Sequence, residues 1–233
     1  MKTTKIKTRC YDFLNKPYAV VLIMLLAPLF GFIDRNFTFF FPLGIVFLIL
    51  MASKFNWTTF AMGKKITGKT LIKSLILASI LFIVFTFLID PLLIKWLGDF
   101  NLSSINDIRG NILAYLVLLV VVWVFAAFGE ELVFRGYYMK GLAELLGNSN
   151  KAWLISALIT SLYFGISHVY QGLIGVVSVC LWSFAIALLF NKNRNNLLLL
   201  VLIHGIYDTI GVTLIYLNLD IVITDYMQQM LTL

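Results

Sequence analysis

The sequence predicts an all-α protein: a polytopic bundle of about seven transmembrane helices, or eight if a short C-terminal segment enters the membrane. Three observations carry this. The 233-residue chain is 61% hydrophobic and only 12% charged, its mean hydropathy is +0.96, and its apolar residues fall into long runs. No soluble domain needs that much apolar surface. A porin-like barrel would instead show short alternating strands, and none is visible. With spans of roughly 20 residues, seven spans and their loops fill residues 1–233 as a single integral membrane domain.

Taken in order, Lys2, Lys5, Lys7 and Arg9 precede the first apolar run near 17–33. They resemble a signal peptide's basic region, but no small-residue cleavage site follows, so the run reads as an uncleaved signal-anchor. The second run, 37–53, is short and contains Pro42, which predicts a tilted or irregular span. Residues 54–70 mix Phe55, Trp57 and Phe60 with Lys64 and Lys65, and read as an anchor along the inner interface. Further runs lie near 74–90, 111–129, 152–170, 172–190 and 197–218, with a partial eighth segment at 219–233. No repeat, low-complexity tract or Pro/Gly/Ser linker breaks the series.

Charge placement sets the orientation. With the N-terminus cytoplasmic, fifteen Lys and Arg fall inside, and only Arg35, Lys95 and Arg109 fall outside. The positive-inside rule therefore places the N-terminus in the cytoplasm and the acidic tail, with Asp220 and Asp225, outside. The same clustering accounts for the net charge of +7, so the expected partner is the lipid bilayer and not nucleic acid. Cys10 and Cys180 are too far apart in the chain to suggest a pair or a metal motif.

Ionisable groups inside a bilayer are costly and mark functional sites by default. Three apolar segments carry them: Glu130-Glu131-x-x-x-Arg135, Phe164-x-x-x-His168 and His204-x-x-x-Asp208, which hold both histidines of the chain. On a helix, Glu131 and Arg135 are i,i+4 neighbours and pair, whereas Glu130 lies about 100° away and stays free. His204 and Asp208 share the same spacing, so the carboxylate orients the imidazole or shares its task. Residues 147–150 read as a hairpin turn whose centre is nineteen residues from both Glu130 and His168. At about 1.5 Å per residue, that sets a carboxylate and an imidazole at equal heights on neighbouring helices. Gln171-Gly172 reads as a turn that ends the His168 helix inside a polar cavity.

Such groups suit amide hydrolysis, which needs an activated water, an oxyanion stabiliser and an acid for the leaving nitrogen. Glu130 in a low dielectric serves as general base. Two readings stay open: His168, His204 and Glu130 hold Zn²⁺ with one position left for water, or the same groups act without metal. No Ser-His-Asp pattern stands out and neither cysteine lies near the motifs, which makes nucleophilic catalysis the weaker option.

The three motifs, in this order and spacing over about residues 110–215, resemble those of the CAAX protease and bacteriocin-processing (CPBP, or Abi) family. The resemblance implies an intramembrane protease, usually described as metal-dependent, with 110–215 as its catalytic core. It further implies that Glu130 and His168 activate water, while His204 and Asp208 bind metal or stabilise the oxyanion. The implied substrate is a peptide or protein, lipidated or otherwise membrane-associated, and the expected location is a bacterial cell membrane. The family's eukaryotic branch trims prenylated CAAX proteins, and bacterial members are linked to peptide maturation and bacteriocin self-immunity. The competing readings are a silent relative that acts by binding, and a transporter; the inverted repeats of the latter are not visible.

The topology is open to direct measurement. Cysteines placed at Asn148 and Asn193 should label from the cytoplasmic side and one at Ile105 only from outside; the reverse pattern would overturn the orientation.

Overall fold

The computed structural model describes residues 11–232, with side chains to residue 229, and no strand occurs among them. The basic residues Lys2 to Arg9 and Cys10 lie outside the described residues. The helices are α1 (Pro17–Phe32), α2 (Phe37–Ala52), α3 (Gly68–Leu97) and α4 (Ile112–Leu145), followed by α5 (Asn150–Ser167), α6 (Gly172–Lys192), α7 (Leu197–Tyr216) and α8 (Leu219–Thr232).

Among the described residues, four helices are long and apolar enough to cross a membrane: α3, α4, α6 with the short turn before it, and α7. The apolar α1 and α2 are shorter. α5 corresponds to the expected 152–170 span but is more polar, and its hydroxyls bond back along the helix. Ser156 donates to the Ala152 carbonyl at 2.8 Å and Thr160 to that of Ser156 at 2.7 Å. α2 is helical throughout, with Pro42 buried inside it, so the expected irregularity is absent. α8 holds 14 residues, short of the roughly 20 that a span needs. Exposed Ile72, Ile76, Ile80 and Ile83 form a stripe along α3, the pattern of a face turned to lipid.

The chain divides into two compact units. The first comprises Met1–Lys65, Gly129–Thr160 and Ala187–Leu198. Its centre is the later part of α4: residues 132–139 pack against α1, α2 and the Trp57–Phe60 turn, and every residue from Leu132 to Met139 is buried. Glycine permits the closest approaches. A Cβ on Gly141 would lie 2.5 Å from Val20 Cγ1, and one on Gly136 would lie 3.1 Å from Leu197 and 3.3 Å from Phe60. The 54–62 segment is more than an interfacial anchor, because Phe60 is 1% exposed and sits edge-on to Tyr137 with ring centroids 6.2 Å apart. The expected hairpin turn is present. Gly147 and Asn148 take left-handed φ of 93° and 55°, and the Asn148 N–H closes the end of α4 on the Ala143 carbonyl at 2.8 Å.

The second unit comprises Ile66–Phe128, Ser161–Ile186 and Leu199–Leu233. Its core gathers Ile108, Val122, Val212 and Ile215, with Tyr115 and Trp123 against them. The 98–111 loop is fixed to the end of α7 by polar contacts. Arg109 donates to both oxygens of Asp220 at 2.7 and 2.6 Å, and these bonds push its guanidinium up from its ordinary value. The Gly110 N–H donates to the Tyr216 carbonyl at 3.0 Å. A Cβ on Gly165 would lie 2.5 Å from the Val176 carbonyl oxygen, and one on Gly205 would lie 2.6 Å from the Trp123 ring. Small residues that let helix backbones touch are the usual basis of packing where lipid removes the hydrophobic drive.

One local geometry departs from expectation. Residues Val122–Glu130 and Leu132–Met139 of α4 form π-helical turns. These wider turns advance less and rotate less per residue than an α-helix. The 100° offset of Glu130 and the count of equal heights at 1.5 Å per residue both assumed α geometry, so neither holds along this stretch.

The contact at Gly165 sets a clear test. Gly165→Ala must displace backbone and should destabilise the protein by about 1–3 kcal/mol. Gly44→Ala, with nothing within 4 Å of the added carbon, should leave thermal unfolding in detergent unchanged or slightly raised.

Candidate active site

Each unit holds part of the expected constellation. In the first unit Glu131 and Arg135 form an ion pair, Nη1 to Oε1 at 3.1 Å, with side chains 0% and 1% exposed. Their i,i+4 spacing survives the wider turns. Glu130, one residue earlier, is only half-buried. Both carboxylates act electrostatically on Arg135. A charge this deeply enclosed is tolerable only beside its counter-charge, which accounts for an arginine on the same helix face.

In the second unit α5 ends at Ser167, and His168 begins a short 3₁₀ turn that closes at Gly172, φ 87°. This is the helix end expected from Gln171-Gly172. The His168 Nδ1 lies 2.8 Å from the Phe164 carbonyl. A carbonyl oxygen only accepts, so in the neutral ring the hydrogen sits on Nδ1 and Nε2 carries the lone pair. Ser167 Oγ stands 3.2 Å from the same Nδ1. The imidazole also rests 4.7 Å from the Phe164 ring, the aromatic wall that the i,i+4 spacing predicts.

His204 is 4% exposed, and its Nε2 stands 3.3 Å from Asp208 Oδ2. Trp182 of α6 meets the imidazole edge-on at 4.5 Å, and Phe164 meets it at 6.5 Å. Phe164 is thus shared by both histidines. Gly205 lets the backbone of α7 lie flush on Trp123, whose indole donates to Thr209 Oγ1 at 3.1 Å. This fixes the azimuth of His204 and Asp208, because the next turn of their helix is held on the same partner.

Among the described residues no three His, Cys, Asp or Glu side chains gather as a metal site requires.

Two features escaped the sequence reading. Asp90, within α3, accepts a hydrogen bond from Ser178 Oγ of α6 at 2.6 Å. The expected apolar run near 74–90 ends at this residue, yet the helix continues to Leu97. Its position in an apolar run was the available signal. Trp182 is one of five tryptophans, and nothing in the sequence separates it from the rest.

These features define an all-α protein with apolar helices long enough to cross a membrane, a buried Glu131–Arg135 pair and two histidines on its later segments. In comparison with known proteins, residues 111–210 are similar to the Rce1-like family, described as type II CAAX prenyl endopeptidase Rce1-like, a segment that covers less than half of the chain. All three motifs lie within it. The chain is also 35% identical over 109 residues to an uncharacterized protein of Mycoplasma capricolum subsp. capricolum (strain California kid), a match spanning 46% of this chain and 30% of that protein. No solved structure matches the chain.

The buried ion pair sets the stability test. Glu131→Ala strands Arg135 and should cost about 3–5 kcal/mol, read as a lower unfolding temperature and a smaller monodisperse fraction in detergent. A well-folded Glu131→Ala protein defective only in turnover would reverse the division of labour between the two glutamates.

Proposed function

We propose that this protein is an intramembrane endopeptidase of CAAX-protease type, acting on a peptide or protein segment held at the membrane near its C-terminus. The observation that carries the reading is that Glu130, Glu131, Arg135, His168, His204 and Asp208 all fall, as three ordered motifs, inside the matched segment 111–210.

Glu130 is the general base. It takes a proton from water as the water oxygen attacks the scissile carbonyl carbon. His168 assists through Nε2, the ring nitrogen that carries the lone pair when Nδ1–H bonds to Phe164. His204, oriented by Asp208, donates to the developing oxyanion. Collapse of the tetrahedral intermediate breaks the C–N bond, and the proton held by the base passes to the leaving amine. Glu131 and Arg135 hold the helix that presents Glu130. Zinc, where bound by His168, His204 and Glu130, would supply an acidified water and polarise the carbonyl.

The test is cleavage by purified protein of a fluorogenic peptide ending in a prenylated CAAX tetrapeptide, alongside its unprenylated counterpart. Glu130→Gln keeps the shape but removes the base, and should lower turnover about 100-fold or more; cleavage at the wild-type rate would sink the assignment. In the same assay, full activity with far less than one metal per chain assigns the chemistry to glutamate and histidine. Loss on chelation that zinc restores assigns it to the metal.

A further inference from the structure

The polar group this mechanism leaves unused is the indole of Trp182. Its ring is 5% exposed and fits edge-on against His204 at 4.5 Å and beside Tyr207 at 5.3 Å. Its Nε1–H has no acceptor among the described residues. Indole is a donor only, and a buried donor without a partner is destabilising enough that native structures seldom keep one unless something else supplies the acceptor. The other tryptophan donors with a bond in the structure are ordinary by contrast: Trp123 reaches Thr209 and Trp153 reaches Asn148. A second buried polar atom without a partner lies on α5. Ser161 Oγ is buried without a partner, although Ser156 and Thr160 of that helix bond back to carbonyls. Ser161 is seven residues before His168 on α5, hence on the His168 face.

We propose that Trp182 is a substrate-binding residue, its Nε1–H donating to a backbone carbonyl of the bound peptide beside His204. This rests on the endopeptidase reading for the identity of the peptide. The chemistry is complementary. An extended peptide entering an apolar interior brings carbonyls with no intrachain donor, and each is costly to leave unsatisfied there. The indole offers a neutral donor in a wall that otherwise presents aromatic faces, so it binds a carbonyl without adding a charge that would need its own partner.

The experiment uses full-length Glu130→Gln protein labelled with ¹⁵N in tryptophan, with the prenylated CAAX peptide as probe. Trp182→Phe in the same background assigns the indole signal and keeps most of the ring packing. The Trp182 indole proton should move downfield on adding peptide. In the catalytic background, Trp182→Phe should lower kcat/KM about 3- to 10-fold with an unchanged unfolding temperature. If wild-type protein cleaves the peptide while the Trp182 signal stays fixed and Trp182→Phe turns over normally, the inference is overturned and the endopeptidase reading stands. If wild type cleaves neither probe but the signal still moves, the endopeptidase reading fails and Trp182 is kept as a peptide donor. If wild type cleaves neither and the signal is fixed, both fall.

Discussion

An ionised side chain in an apolar interior persists only when its counter-charge is built in beside it, and that constraint organises this protein. Glu131 and Arg135 obey it most fully, being almost wholly enclosed with their charges 3.1 Å apart. Residues 132–139 are enclosed by α1, α2 and the Trp57–Phe60 turn. With the charges matched inside one helix, that helix can be walled in on every side. Glu130 is left less enclosed.

The second unit meets the same constraint with a different partner at each group. His168 is tied to a carbonyl of its own helix, His204 to Asp208, and Asp90 to Ser178. Each of these three side chains has a close polar neighbour, and aromatic rings lie against both histidines. Helices come near enough for this because Gly165 and Gly205, each beside a motif residue, present no side chain at the contact. The same bareness that allows packing also fixes which way the histidines face.

Much of this was legible in the sequence, for reasons that differ by residue. The helical class followed from composition. The pairs Glu131–Arg135 and His204–Asp208 followed from spacing, since a contact four residues away depends on one helix alone. Gln171-Gly172 announced its turn because the left-handed φ at Gly172 favours glycine. Where geometry depended on tertiary packing, the sequence was silent. The wider turns of α4 carry no composition signal, Pro42 sits inside a regular helix, and the burial of Phe60 depends on Tyr137, far along the chain. The bond of Asp90 to Ser178 joins residues 88 positions apart, which no local pattern announces.

The approach of Gly141 to Val20 has a consequence for how related sequences can vary. The two positions share one fixed volume, with a Cβ at 141 meeting Val20 Cγ1 at 2.5 Å. A relative that enlarges the residue at 141 must shrink the one at 20, so the pair should covary although 121 positions separate them. A chimera that takes only its N-terminal helix from such a relative inherits one half of that agreement. The seam between its parents would then fail at this contact, well away from the joint.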